Sequence, residues 1–384
     1  MDFDLTEEQR LLKDSVDRLV ADSYGDFEKR KHHQDNAQGY SPALWSQYAE
    51  LGLLGLPFTE EQGGFGGGPV ETMIVMEALG RGLALEPYLA SVVLGGGFLR
   101  LGGSDAQREA LIPALVEGSA TLAFAQIERQ SRNDLHDVAT TARRTEAGWV
   151  LDGAKSLVLH GDSATHLIVS ARTAGARRDR DGISLFVVPA DAPGVSRRGY
   201  ATQDGLRAAE ILFEGTTLPA EALLGAEGQG LALMERVVDI ALAALCAEAV
   251  GAMEALHELT LDYLKQRKQF GTTIGSFQAV QHRAADMLVA LEQARSMAMY
   301  AAMMAENPDP AVRRPAIAAA KALVNRSAEL VGKEAIQLHG GIAMTMEYKA
   351  GHYFKRLTML IGQFGETDQH VRLVAEAGGL PSAA

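Results

Sequence analysis

Apolar positions in the first third of the chain recur at helical spacing. Leu11, Leu12, Val16, Leu19 and Val20 share one face of a 3.6-residue period. Ahead of them, Thr6-Glu7-Glu8-Gln9 sets a hydroxyl three residues before a side-chain amide, the spacing of a capping box. Residues 1–120 are therefore expected to form an N-terminal helical domain. The period shortens between residues 121 and 230. Trp149 to Gly153, Leu167 to Ser170, Ile183 to Val188 and Ile211 to Phe213 are short, β-branched or aromatic, and separated by turn residues. This is the texture of a central antiparallel β-barrel or sandwich. Helical spacing returns over residues 231–384. Met234 to Arg267 contains no proline and only one glycine, Gly251, so it can run as one helix of roughly 50 Å. Phe277 to Glu306 and Pro310 to Leu338 follow, broken at Asn307-Pro308, and a shorter pair closes the chain. Long helices with short connections predict a C-terminal four-helix bundle. The expected fold is α+β and multidomain: helices, β domain, helical bundle.

Charge narrows the function classes. The chain has 384 residues, with 36 Lys+Arg against 49 Asp+Glu and a net charge of −13. That balance disfavours nonspecific attraction to nucleic acid or an anionic membrane, and an anionic ligand needs a local basic pocket. The single cysteine, Cys246, excludes an intrachain disulfide and a cysteine zinc cluster, and it fits a reducing compartment. The acidic start lacks the basic and apolar regions of a secretion signal. There is no uncharged apolar run long enough for a membrane span. A cytoplasmic protein without a membrane span is expected. The Gly63 to Gly68 stretch lacks the Lys-Ser/Thr of a phosphate loop and follows no buried strand, so it reads as an interhelical turn. Gly175 to Gly182, rich in arginine, reads as a solvated hairpin tip, with contact to a ligand phosphate as the alternative.

Four words then occur in order. Arg267-Lys268-Gln269-Phe270-Gly271 ends the first long helix, with Gln278 shortly after it. Gln337-Leu338-His339-Gly340-Gly341 ends the third, and Thr367-Asp368-Gln369 lies near the C-terminus. Together with Thr6 to Gln9 and the Leu53-Leu54-Gly55-Leu56-Pro57 to Gly66 stretch, they resemble the acyl-CoA dehydrogenase family over essentially the whole chain. The resemblance implies FAD as cofactor, an acyl-CoA substrate and an electron-transfer acceptor. It also implies that Arg267, Phe270, Gln337 and Gly341 reach a neighbouring subunit's flavin. The chemistry suits the residues. A guanidinium fork can hold a pyrophosphate, and glycines such as Gly340 and Gly341 let backbone amides approach closely. Gln278, Thr367 and Gln369 complete the cofactor-binding set. Taken singly, Arg267 also reads as a solvated helix-end cation and Gly340-Gly341 as a helix C-cap.

Two departures accompany these matches. The family removes an α-proton from the thioester with a carboxylate, usually in a Tyr-Glu-Gly-Thr word. Here that word reads Phe364-Gly365-Glu366-Thr367, with glycine at the base position. A one-residue shift on a helix turns a side chain by roughly 100°. Glu366 therefore reads either as a displaced base or as a helix-start carboxylate facing the macrodipole. Gly365 can still donate its N–H to the thioester oxygen. The alternative base position, on the first bundle helix, holds Ala241, and Glu248 lies two turns further along. Losing a general base costs about 10² to 10⁴ in rate, or roughly 3 to 5 kcal/mol of barrier. The flavin-ring words are altered too. They fall on Gln126, Ile127 and Glu128, and on Leu157 to His160. Ile127 and Leu159 replace threonines, and Leu157 replaces a stacking tryptophan.

The pattern is similar to the small, partner subunits of bacterial two-subunit acyl-CoA dehydrogenases, which act on dicarboxylyl- or ring-derived CoA thioesters in fatty acid, dicarboxylate or steroid degradation. The implied assembly is a heterotetramer with a catalytic paralogue, or a homodimer or homotetramer using Glu366 or Glu248. A catalytically silent acyl-CoA-binding subunit and an FAD oxidase or monooxygenase are the alternatives. Ala241, Ala243, Ala244, Cys246 and Ala247 either leave room for a bulky acyl group or serve close helix packing.

Overall fold

A computed structural model describes residues 5–379. They form two compact units. One comprises residues 5–31, 69–84 and 242–379, and the other comprises residues 32–68 and 85–241.

The second unit holds the sheet. Helices α2 (Phe27–Gln34) and α3 (Pro42–Glu50) come first in the chain, the former beginning in the first unit and ending in the second. After α4 (Pro69–Gly82), in the first unit, come a π-helical turn at Leu89–Gly96, α5 (Gly97–Gly102) and α6 (Asp105–Val116). The strands are β1 (Leu122–Ala125), β2 (Thr141–Thr145), β3 (Gly148–Leu159), β4 (His166–Arg172), β5 (Ile183–Pro189), β6 (Val195–Ala201), β7 (Arg207–Leu218) and β8 (Leu223–Leu224). They form one sheet in the order β6-β7-β3-β2-β4-β5-β8, with β1 paired to β4. The sheet is open. Its ends, β6 and β8, do not meet, so the expected β domain is present without closing into a barrel. Two pairings, β1 with β4 and β2 with β4, run parallel, while the rest are antiparallel. β4 and β5 are covered on both faces and buried almost throughout, which accounts for their unbroken apolar runs. β6 is exposed and carries Arg197 and Arg198, the charged character that protects an edge strand. Trp149, Phe186, Phe213 and Ile211 lie in the core on the sheet, with the Trp149 and Phe186 rings 5.1 Å apart.

The first unit is helical. α1 (Glu7–Tyr24) starts with the anticipated capping box: Gln9 N–H donates to Thr6 Oγ1, and the Gln9 side chain accepts from Thr6 N–H. α7 (Gly230–Gln266) is a single helix of 37 residues, and it belongs to this unit from Leu242 onward. α8 (Gln278–Met304), α9 (Pro310–His339), α10 (Lys349–Gly362) and α11 (Thr367–Val374) complete it, with α9 packed on α8, α10 and α11. α4 crosses α7 at backbone distance. A Cβ on Gly80 would lie 2.0 Å from the Glu248 carbonyl oxygen, and one on Gly251 would lie 1.8 Å from that of Glu77. Only glycine permits that approach. Ala243, Ala244, Cys246 and Ala247 on the same helix are all buried.

Candidate functional site

The end of the bundle collects half of the sequence-derived cofactor residues. α7 gives way to a tight hairpin, β9 (Lys268–Gln269) against β10 (Thr272–Thr273), with Phe270 and Gly271 at its tip. Both tip residues have positive φ, +55° and +80°, as a two-residue hairpin matching the twist of its strands requires. Phe270 is held 92% exposed. Arg267, one residue beyond α7, and Gln278, the first residue of α8, are exposed as well. The last turn of α9 presents Gln337 to solvent and stops at Gly340, where φ is +67°. Gly341 continues into an exposed 3-10 turn that carries Met344, 75% exposed.

Two contacts bring these segments to one end of the bundle. Arg283 near the start of α8 pairs with Glu334 near the end of α9. The Tyr263 ring of α7 lies 4.7 Å from His339. His339 is buried directly beneath the glycines, between Tyr263 and Tyr348. Its Nδ1 lies 2.8 Å from the Ala335 carbonyl oxygen. Burial holds it below the usual histidine range.

The other sequence-derived positions of this unit surround the α10–α11 turn. Glu366 is the N-cap of α11. Its carboxylate accepts the Gln369 N–H, while the Gln369 side chain accepts the Glu366 N–H at 2.9 Å. Both side chains are thus engaged in closing the helix, with Thr367 half-buried behind them. Gly365 is buried with φ +126°, and its N–H has no acceptor among the described residues. A Cβ at Gly365 would fall 2.8 Å from His370 Nε2 and 3.2 Å from Cε1 of the same ring. His370 is 4% exposed, and its Nε2 makes no well-aligned hydrogen bond. Burial, aided by the Lys321 charge, pulls it down to about 4. Gln363, the C-cap of α10, also has an unpartnered side-chain amide.

Glu248 is committed elsewhere. Its Oε1 accepts from Arg356 Nε at 2.6 Å, and both side chains are more than nine-tenths buried. Close by, Lys321 is buried and donates to Asn325 Oδ1 at 2.6 Å and to the Leu360 carbonyl at 2.7 Å. Burial pulls Lys321 down to about 8 and pushes the Cys246 thiol up to about 11.

In the sheet unit, the residues aligned with the flavin-ring words lie beside one another. Gln126 directly follows β1 and is buried, and its Oε1 lacks a partner. The Ser156 N–H donates to the Ile127 carbonyl at 2.8 Å, tying that segment to the end of β3. Leu157 is partly exposed with φ +49°, and Leu159 is half-buried opposite Ala208. Glu128 is pinned by Lys155 Nζ at 2.8 Å, Gln130 Nε2 at 2.7 Å and the N–H groups of Ala139 and Thr140. Burial raises its carboxyl, but Lys155 and the other donors outweigh that and hold it at about 2. Burial in turn pulls Lys155 down to about 8.

A cavity of about 590 Å³ opens over this pair, with Thr140, Ser156, Arg129, Arg197 and Arg198 in its wall. Thr140 is buried, and its hydroxyl has no partner. An orphaned hydroxyl in a hollow that carries arginines suits a polar ligand. Glu128 and Glu210 line it as well, and Arg197 already donates to the carbonyls of Gly161, Asp162 and Ala164.

Lys155, Thr140, Arg356 and His370 did not stand out in the sequence. Lys155 carried a signal, because an isolated lysine within a buried strand needs a counter-charge. His370 carried none, because nothing local marks which turn its ring will touch. The arginines at 177, 178 and 180 are all engaged in ion pairs, with Asp137, Asp134 and Glu235.

Three sequence models match the chain: the acyl-CoA dehydrogenase N-terminal domain over residues 6–119, the middle domain over 123–215 and the C-terminal domain over 228–379. The acyl-CoA dehydrogenase FadE12 of Mycobacterium tuberculosis is 31% identical over 355 residues, covering 89% of this chain and 88% of that protein. The FAD complex of PigA superposes with a TM-score of 0.91 at 28% identity, covering 99% of this chain and 100% of the other. A chain of the ChsE4–ChsE5 complex from Mycobacterium tuberculosis superposes with a TM-score of 0.87 at 25% identity over the full length of both. With matches to all three of its domains in order, the chain belongs to the acyl-CoA dehydrogenase family.

Proposed function

We propose that this chain is an FAD-linked acyl-CoA dehydrogenase subunit that acts in a mixed assembly in which a paralogous chain supplies the base. The observation that carries the reading is the state of the three carboxylate positions. Gly365 leaves the base position without a carboxylate, Glu366 caps a helix, and Glu248 is buried on Arg356. The PigA complex with FAD supports the cofactor, and the two-component ChsE4–ChsE5 complex supports the assembly.

FAD, when bound, accepts the β-hydride of the acyl chain. The protein's own residues position the reactants. Arg267 offers its guanidinium to the pyrophosphate of a neighbouring subunit's flavin, Gln337 and Gln278 offer amide groups, and Gly340-Gly341 leave the backbone open. In the sheet unit, Gln126 presents a free amide oxygen and the backbone from Ile127 to Leu159 replaces the missing threonine hydroxyls. Gly365 presents its free N–H to the thioester oxygen, where negative charge grows as the α-proton leaves. The exposed Phe270 and Met344 are the surface that a neighbouring subunit covers. None of the three candidate positions among the described residues offers a free carboxylate to the α-proton, and the partner's carboxylate takes it.

The test is to purify the chain alone and with a genomically adjacent paralogue, then measure flavin content and acyl-CoA dehydrogenation. Bound flavin with turnover only in the mixed assembly is expected. Turnover by the lone chain, abolished by Glu366→Gln, rejects the partner role. A colourless assembly favours a silent acyl-CoA-binding subunit, and oxygen consumption with a hydroxylated product favours a monooxygenase.

A further inference from the structure

We infer that His370 is a positioning residue that bars any side chain from position 365, so that the base vacancy is built into the α10–α11 turn. The inference deepens the proposed function and rests on its placing of the base position at Gly365.

Two features of the turn act together. Gly365 has φ +126°, a backbone region that L side chains rarely enter. A backbone adjustment would relieve that strain in an open turn, but this turn is closed on the Cβ side. The imidazole sets three atoms, Nε2, Cε1 and Cδ2, at 2.8, 3.2 and 3.4 Å from where a Cβ would stand. The ring cannot swing away cheaply, because His370 is 4% exposed and follows the first turn of α11. That turn is fastened by the reciprocal Glu366–Gln369 cap, and the His370 N–H donates to the Glu366 carbonyl at 3.2 Å. The polar edge facing Gly365 is costly for the protein to keep. Nε2 makes no well-aligned hydrogen bond, the Gly365 backbone offers the ring only a partial partner, and an incompletely satisfied buried polar atom disfavours folding. An apolar side chain would fill the same space without that cost. The arrangement leaves Gly365 with only its backbone to offer, and its N–H is free. This one turn therefore lacks a base and keeps a donor for the thioester oxygen.

The experiment has two arms on the full-length protein. The first is a double-mutant cycle on thermal unfolding of the apoprotein, with Gly365→Ala, His370→Ala and the pair. Gly365→Ala is expected to lower the melting temperature by roughly 5 °C in the native background, and by less than half of that in the His370→Ala background. Equal losses in both backgrounds overturn the inference, since backbone strain alone would then account for glycine. His370→Ser repeats the cycle if the alanine variant does not fold. The second arm measures exchange of the substrate α-proton with deuterated solvent in the FAD-loaded protein. Here a carboxylate takes the α-proton, an enolate forms, and a deuteron returns to the same carbon.

Gly365→Glu is expected to stay inactive, while Gly365→Glu combined with His370→Ala gains exchange at least tenfold above background. Exchange by Gly365→Glu alone overturns the inference. Coupling in the first arm without exchange by the double variant upholds the steric role of His370 and overturns the placing of the base position at Gly365. The two failures are thus distinguishable.

Discussion

The outer end of the bundle and the α10–α11 turn are built in opposite ways. At the bundle end, Arg267, Phe270, Gln278, Gln337 and Gly341 are exposed, and Phe270 stands almost wholly in solvent. Little of the chain's own stability depends on them. At the α10–α11 turn the carboxylates are engaged internally, Glu366 with Gln369 and, deeper in the bundle, Glu248 with Arg356, while the Gly365 N–H and the Gln363 amide are left open. Side chains that the fold does not use, an almost wholly exposed phenylalanine among them, are free to meet another molecule. On the proposed reading, a carboxylate that closes its own helix is not free to deprotonate a substrate.

Mutations should separate the two regions, beginning with the deepest. Glu248→Ala leaves the Arg356 guanidinium buried beside the space its partner occupied, and should cost about 3 to 5 kcal/mol in urea unfolding. A loss below about 1 kcal/mol would show that the pair behaves as a surface contact, and would return Glu248 to the list of candidate bases.

The next effect depends on pH. Burial lowers His370 to about 4 in the native chain, against about 6.5 unfolded. Between those values the unfolded chain binds the proton that the native chain refuses, so stability falls as pH drops from 6.5 toward 4. The total is about 3 kcal/mol. Lys321, the charged group facing the ring, stays protonated throughout that window and does not reverse the sign. His370→Ile should flatten the profile there, and an unchanged slope would contradict the burial of a neutral ring.

Smaller still is the helix cap. Glu366→Ala should cost about 1 kcal/mol with little effect on flavin reduction by the mixed assembly. A large loss of reduction at unchanged stability would instead make Glu366 a participant. The bundle end should show the reverse. Arg267→Ala and Gln337→Ala should move unfolding by no more than about 0.5 kcal/mol, yet weaken FAD binding at least tenfold in a fluorescence titration. Retained affinity would break the contrast between the regions.

Much of this was legible in the sequence, for reasons that differ by residue. The capping box at Thr6, the long proline-free helix that became α7, the break at Asn307-Pro308 and the hairpin tip at Gly175 to Gly182 follow from local rules, and the structure has each of them. The open sheet was not legible, because strand texture reports burial and not which edges meet. The parallel pairing of β1 with β4 depends on a crossover that no short window encodes. At the site, the words ending α7 and α9 could be found because their glycines and arginine are spaced along one segment. The contacts that engage Glu248 and crowd position 365 join residues 108 apart in one case, Glu248 to Arg356, and a ring to a backbone turn in the other. Such pairings appear only in three dimensions.

The central claim is that the chain binds flavin but cannot take the α-proton by itself. Anaerobic addition of acyl-CoA to the flavin-loaded protein, followed by its visible absorbance, tests that most directly. No bleaching by the lone chain and stoichiometric bleaching once the paralogous subunit is present is the expected result. Full bleaching of the lone chain would contradict the account.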